Sequence, residues 1–185
     1  MSGILDKVRA ILSAARNRES TFRCVERLFS QYSYEYMTLM RAYDAMKDSF
    51  RGIFREDGER YFEHLRAVLL INLEYNRATD FEELVICILH DANEDIPSWS
   101  IDRIRREFGD NVAVGVQRIS KQPLSRFKSK KERDEAYHGP FKSAGRSFFR
   151  PKLSDRLHNL MTLGACPLDK IRRKIDETVL HYLPY

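Results

Sequence analysis

Four residues carry the chemistry of a metal site: His64, the dipeptide His90-Asp91, and Asp155. Two imidazoles and two carboxylates form a mixed nitrogen and oxygen donor set with no thiolate. Such a set suits an octahedral Mn2+, Fe2+ or Mg2+ better than a closed tetrahedral zinc site. Four protein ligands leave two octahedral positions for water and a substrate oxygen, which is what metal-assisted phosphoester hydrolysis requires. Glu94 and Asp95 follow His90-Asp91 by one helical turn, in the segment HDANED. Carboxylates there could orient an attacking water, take its proton, or hold the metal through water. Each residue also has a plain structural reading. His64 alone is more often a satisfied histidine on a partly apolar helix, and Asp155 an acid favoured by the dipole of a first turn. Glu94-Asp95 could be a solvated turn before Pro97. The metal reading is favoured because all of these residues occur together, in order and at workable spacing.

Ligands this far apart meet only where the ends of several helices converge, so the elements between them decide the case. Helical periodicity dominates the chain. Ile4, Leu5, Val8, Ile11, Leu12 and Ala15 share one face, and Phe22, Val25, Leu28 and Phe29 repeat the pattern. A third helix is expected from about Tyr36 to Phe54, broken by Glu56-Asp57-Gly58. Tyr61 opens the helix that carries His64, and Thr79 with Glu82 reads as the capping box of the helix ending at His90. Ser100 caps a short amphipathic helix that stops at Gly109, and Val112, Val116 and Ile119 mark another. Residues 120–150 are polar and basic and contain Pro123, Gly139-Pro140 and Gly145. They read as a loop or lid with one short helix near Lys131–Tyr137. Leu153, Leu157, Leu160 and Met161 resume a helix. Leu168, Ile171, Ile175, Val179 and Tyr182 form the apolar face of the last one. With no strand pattern and no internal repeat, the fold class is all-α, a bundle of seven to nine helices.

Composition agrees. With 185 residues, 43% hydrophobic and 32% charged, the chain can bury one core and is neither disordered nor membrane-spanning. No secretory signal heads it, so a cytoplasmic location is expected, with no membrane partner. Cys24, Cys87 and Cys166 are odd in number and widely spaced, which gives neither a disulfide framework nor a zinc knuckle. The net charge of +5 is uneven: residues 118–131 hold six Lys or Arg and no acid. That stretch could meet nucleic acid, a membrane surface or a phosphate-rich small ligand, or could be a solvated loop.

With these residues in hand, the chain resembles the HD-superfamily hydrolase domain of the RelA/SpoT family, and more closely its stand-alone members, the small alarmone hydrolases akin to the metazoan SpoT homologue. Arg55-x-x-Gly58-Glu59-x-Tyr61-x-x-His64, Leu89-His90-Asp91-x-x-Glu94-Asp95 and Lys152-Leu153-Ser154-Asp155-Arg156-Leu157-His158-Asn159 carry the likeness. It implies an HD-domain helical bundle over residues 36–185, preceded by an N-terminal helical extension over 1–35. That extension would pack on the domain or offer an oligomer contact. The resemblance further implies Mn2+-dependent removal of the 3′-pyrophosphate from guanosine tetra- or pentaphosphate, with a small-molecule nucleotide as partner and no nucleic acid. By the same likeness His64, His90, Asp91 and Asp155 hold the metal, and Glu94 and Asp95 serve the hydrolytic step. Arg55 would stack on the base, while Asn159 and Thr162 would contact the nucleotide. The chain departs from the family at Glu56, where a lysine is usual, at Arg60, where proline is usual, and through most of residues 120–150. The basic 118–131 stretch could hold the phosphates that an acid at position 56 does not. Two other readings are a hydrolase of another nucleotide or of NADPH, and a nucleotide-binding regulator with a catalytically weak site.

Overall fold

Side-chain caps fix where five of the described helices begin. The computed structural model describes residues 3–143 and 145–184, and among them eleven segments are α-helical. They are α1 (Ile4–Ala14), α2 (Arg18–Val25), α3 (Tyr34–Ser49), α4 (Tyr61–Leu70), α5 (Phe81–Leu89), α6 (Ala92–Asp95), α7 (Ile101–Phe108), α8 (Asp110–Ile119), α9 (Lys130–His138), α10 (Arg146–Met161) and α11 (Leu168–His181). Asn17, Ser33, Ser100 and Ser129 each accept a hydrogen bond from the backbone N–H three residues on. This satisfies one of the donors that every helix start leaves open. The cap of α5 is Asp80 rather than the expected Thr79: its Oδ1 accepts from Glu83 N–H at 3.1 Å. A carboxylate is the stronger acceptor and also meets the positive end of the helix dipole.

The third helix stops five residues short of its expected end. Phe50 closes it, Gly52 takes φ +80°, and the chain turns back on itself. Arg55 N–H donates to Glu59 C=O and Tyr61 N–H to Ile53 C=O, both at 2.9 Å, with Gly58 at φ +82° in the bend. A left-handed backbone is least strained at glycine, so the two glycines allow this tight loop, which presents Arg55. Beyond it, α4 runs into a π-helical stretch, Ile71–Tyr75, which turns Asn72 and Asn76 towards Ser154 of α10.

Helix α5 lies at the centre, packed by α3, α4, α8 and α10. Leu84 to Leu89 are buried all round, as expected of a helix covered on every side. Phe22 of α2 sits edge-on against Tyr36 and Tyr43 of α3, with ring centroids 5.3 Å from each. Val8 of α1 is fully buried, and α1 rests on α4 and the π-helical stretch. The first two helices therefore pack on the rest of the chain. Leu84 is wholly inaccessible, so Leu84→Ala is expected to lower unfolding free energy by about 2–5 kcal/mol, read by chemical denaturation.

Two expectations need correction. The helix expected to resume at Leu153 begins at Arg146 and passes through Pro151. Proline removes one backbone donor and disfavours the preceding turn. Tertiary contacts hold the segment helical. Phe149 joins Tyr137, Phe141 and Tyr182 in a second apolar cluster, and Arg150 pairs with the fully buried Glu83 at 2.6 Å. The short helix expected near Lys131–Tyr137 is α9, and among the described residues of 120–150 two 3-10 turns, Leu124–Arg126 and Gly139–Ser143, and the start of α10 replace much of the expected loop.

The second correction concerns α11. Of its expected inward face only Tyr182 is buried, while Leu168, Ile175 and Val179 are 73%, 46% and 57% exposed. Polar contacts set the rotation of this helix. Glu177 receives Lys121 at 2.9 Å, Arg156 at 3.0 Å and His138 at 3.2 Å, and burial is outweighed so that its carboxyl lies far below the ordinary range. Turning the apolar stripe inward would strip Lys121, Arg156 and the His138 ring of their common partner.

Candidate metal centre

The four expected ligands come from four separate places and meet at one point. His64 lies in the second turn of α4 and His90 at the C-terminal end of α5. Asp91 opens α6, and Asp155 sits midway along α10. His90 Nε2 is 3.0 Å from Asp91 Oδ2 and 3.3 Å from His64 Nε2. Asp155 Oδ1 lies 3.3 Å from His64 Nε2 and 3.7 Å from His90 Nε2. His64, His90 and Asp91 offer ligand atoms within 4.8 Å of one another, a group that could hold a metal ion.

Each of these side chains is also held from behind. His90 Nδ1 lies 2.8 Å from Cys87 C=O, which can only accept, so that nitrogen carries the proton and Nε2 is left for a ligand bond. Tyr61 Oη donates to Asp91 Oδ2 at 2.9 Å, and Lys152 Nζ to Asp155 Oδ2 at 2.9 Å. Asn159 Nδ2 donates to Asp155 Oδ1. His64 Nδ1 faces His158 Nδ1 at 2.9 Å. Tyr61, Lys152 and His158 lie inside the motif segments, yet the sequence gives them no role of their own. For Lys152 the three-residue spacing to Asp155 was the available signal, whereas Tyr61 and His158 reach ligands 30 and 94 residues away, which no local spacing reveals.

The electrostatics show a site that wants positive charge. Burial alone would lower the His90 pKa, but Asp91 and then Asp155 reverse this and push it up to about 10. Asp91 is held far below the ordinary carboxylate range by His90 and His64, against the effect of burial. Asp155 is held low mainly by Lys152, again against burial. A proton on His90 does here what a cation would do. The donor set therefore fits a divalent ion by charge as well as by geometry.

Glu94 and Asp95 flank this centre on α6. Glu94, open to solvent on one side, is crowded by protein on the others, and that crowding with Asp91 raises its carboxyl to about 7 although Lys152 opposes. Its Oε1 accepts from Lys121 N–H at 2.6 Å. Asp95 is raised too, by burial and then by Asp91. A carboxyl near neutrality is suited to moving a proton.

A cleft of about 630 Å3 opens over the centre, with Arg55, Glu56, Tyr61 and Glu94 along one side. Arg55 Nη2 donates to Asn159 Oδ1 at 2.9 Å and to Thr162 Oγ1 at 3.1 Å, so the three expected substrate residues lie together, and Arg55 and Asn159 line the cleft. Lys121, Lys152, Arg156, Lys170, Arg173 and Lys174 supply its positive charge. Only Lys121 belongs to the basic 118–131 stretch; the others come from α10 and α11. The spacing of Lys170, Arg173 and Lys174 on one helical face could have revealed them. Glu56 does not stand as a bare acid, because Lys170 pairs with it.

Residues 42–184 match the family described as the HD domain. The chain belongs to the HD-domain family. Among its relatives, this HD domain is 36% identical over 149 residues to the bifunctional (p)ppGpp synthase/hydrolase SpoT of Escherichia coli, covering 79% of this chain and 21% of SpoT. It is 30% identical over 162 residues to a guanosine-3′,5′-bis(diphosphate) 3′-pyrophosphohydrolase of Aquifex aeolicus, covering 86% of this chain and 23% of that protein. The chain thus spans about a fifth of the length of these curated relatives. A solved structure described as a metazoan ortholog of SpoT that hydrolyses ppGpp superposes with a TM-score of 0.66 at 21% identity, covering 76% of this chain and 81% of that one. At that identity the likeness is one of fold. Among the described residues no helix of this HD domain is long and apolar enough to cross a membrane.

Proposed function

We propose that this HD domain is a Mn2+-dependent phosphohydrolase that removes the 3′-pyrophosphate from guanosine tetra- or pentaphosphate, giving GDP or GTP and pyrophosphate. The observation that carries the reading is the convergence of His64, His90, Asp91 and Asp155 at the floor of a cleft with strongly basic walls. Relatives bearing the name 3′-pyrophosphohydrolase support the choice of reaction. Among divalent ions, Mn2+ matches a half-nitrogen, half-oxygen donor set with room for further oxygen ligands. When bound, it supplies Lewis acidity towards the phosphoryl oxygen and lowers the pKa of water.

The protein's own part begins with binding. Lys121, Arg156 and Lys174 line the cleft where the phosphates would lie, and cations beside a phosphate make strong charge-assisted bonds. Arg55, fixed by Asn159 and Thr162, presents its guanidinium as a flat surface for the base. Glu94 accepts the proton of the attacking water on Oε2, since Oε1 is held by Lys121 N–H. Asp95, steadied beside Tyr61, orients that water. The water oxygen bonds to the phosphorus as the P–O bond to the 3′ oxygen breaks, the proton taken by Glu94 passes to that 3′ oxygen, and pyrophosphate leaves. The expected location is the cytoplasm.

Metal binding must displace the proton held at His90. Mn2+ affinity is therefore expected to strengthen at least tenfold per pH unit between about pH 6 and 8, because binding releases the His90 proton and, towards the acid end, part of the one on Glu94. A Mn2+ titration at several pH values with a flat response would count against His90 as a ligand. For the reaction, purified protein with Mn2+ is offered a nucleotide panel and the products are separated by chromatography. GDP with pyrophosphate from ppGpp is the expected result. Orthophosphate alone, from NADPH or another nucleotide, would overturn the substrate assignment. No turnover by metal-loaded protein would indicate a regulator.

A further inference from the structure

Three of the four ligands are held by groups that leave no choice of polarity. A backbone carbonyl can only accept from His90, and the tyrosine hydroxyl and lysine ammonium donate to carboxylates. His64 alone is held by a second imidazole, a group that can either donate or accept. Which role it plays follows from the other side of the ring. His64 Nε2 is the nitrogen at the centre, 3.3 Å from both His90 Nε2 and Asp155 Oδ1. A ligating nitrogen must be free of its proton, so the proton of neutral His64 resides on Nδ1. That Nδ1–H points at His158 Nδ1 at 2.9 Å, which must then be the bare, accepting nitrogen.

We propose that His158 is a positioning residue for the metal centre: its Nδ1 accepts from His64 Nδ1–H, fixing the tautomer and the ring plane of that ligand. This rests on the metal-site reading above. Helix α10 then serves the centre twice. Asp155 contributes a ligand directly, and His158, nearly one turn later on the same helix, sets a ligand that belongs to α4. Both imidazoles are buried, at 1% and 5% exposure, so water does not compete for the bond. Their rings are tilted by 43° with centroids 5.0 Å apart, which suits an edge-to-edge hydrogen bond rather than stacking.

The test compares Mn2+ affinity, followed by the electron paramagnetic resonance signal of the free ion, in wild type, His158→Phe and His158→Asn. Phenylalanine keeps a ring but removes the acceptor, and loss of such an outer partner weakens metal binding by about 10–100-fold. Asparagine places a carbonyl oxygen near the former Nδ1 and is expected to remain within a few-fold of wild type. Nitrogen-15 spectra of wild-type protein loaded with Zn2+ give a readout that needs no variant. The expected pattern is a proton on Nδ1 of His64 and on Nε2 of His158. Wild-type affinity in His158→Phe, or a proton on Nδ1 of His158, overturns the inference. If Asp91→Ala loses Mn2+ while His158→Phe keeps it, this inference alone falls. If wild type binds no Mn2+, the metal reading falls with it.

Discussion

Asp91→Ala is expected to abolish Mn2+ binding and, with it, hydrolysis. Asp91 is the carboxylate nearest to His90, it is held strongly ionised, and it receives the Tyr61 hydroxyl at 2.9 Å. Removing it takes away one donor and half of the negative charge that makes the centre attract a cation. The loss should exceed the roughly 100-fold expected from an outer partner. If the bound cation contributes several kcal/mol to the transition state, activity falls by about 10^3-fold or more. Asp91→Asn keeps the shape and removes only the charge, so it separates electrostatics from packing. Calorimetric titration with Mn2+ measures the first effect, and product formation from ppGpp the second. Wild-type Mn2+ affinity in Asp91→Ala would remove this residue from the centre.

The second large effect concerns Glu94. Glu94→Gln keeps the acceptor that meets Lys121 N–H but cannot take a proton. Mn2+ affinity should change little while turnover falls by roughly 10^2–10^4-fold, the range of a lost general base. A pH profile adds a sharper criterion. The Glu94 carboxyl sits at about 7 before any cation is bound, because the protein around it disfavours its charge. A general base works only when deprotonated, so kcat/KM should fall as pH drops below that value. A bound divalent cation moves the limb towards lower pH, as positive charge favours the carboxylate. In Glu94→Gln the residual activity should lose that limb. A variant that retains the limb would place the titrating group elsewhere, with Asp95 next in line.

These two residues also show how far the chain could be read without its structure. His90-Asp91 and Glu94-Asp95 sit within six consecutive positions, and the single turn of α6 that Asp91 opens places Glu94 and Asp95 beside it. Asp155 and His64 were legible as partners because each lies in a patterned helix, and the structure does bring their ligand atoms within 3.3 Å. The basic wall of the cleft was less legible. Charge is dense along the chain in residues 118–131, whereas most of the wall comes from Lys152, Arg156 and the cationic face of α11. Charge density along a sequence does not say which way a side chain points.

What the sequence determined by itself was local: helical period, donor types, and the spacing that puts two carboxylates one turn beyond Asp91. These depend on contacts between residues three or four apart, which any isolated helix would make. Only the tertiary structure decided how α11 is rotated, whether Pro151 could lie within a helix, and which partners stand behind the ligands. Each of those outcomes hangs on groups far apart in sequence. Glu177 draws Lys121, His138 and Arg156 together, and Arg150 reaches Glu83. An amphipathic helix such as α11 has two candidate inner faces, one apolar and one charged. The choice between them belongs to the partners that the rest of the fold presents.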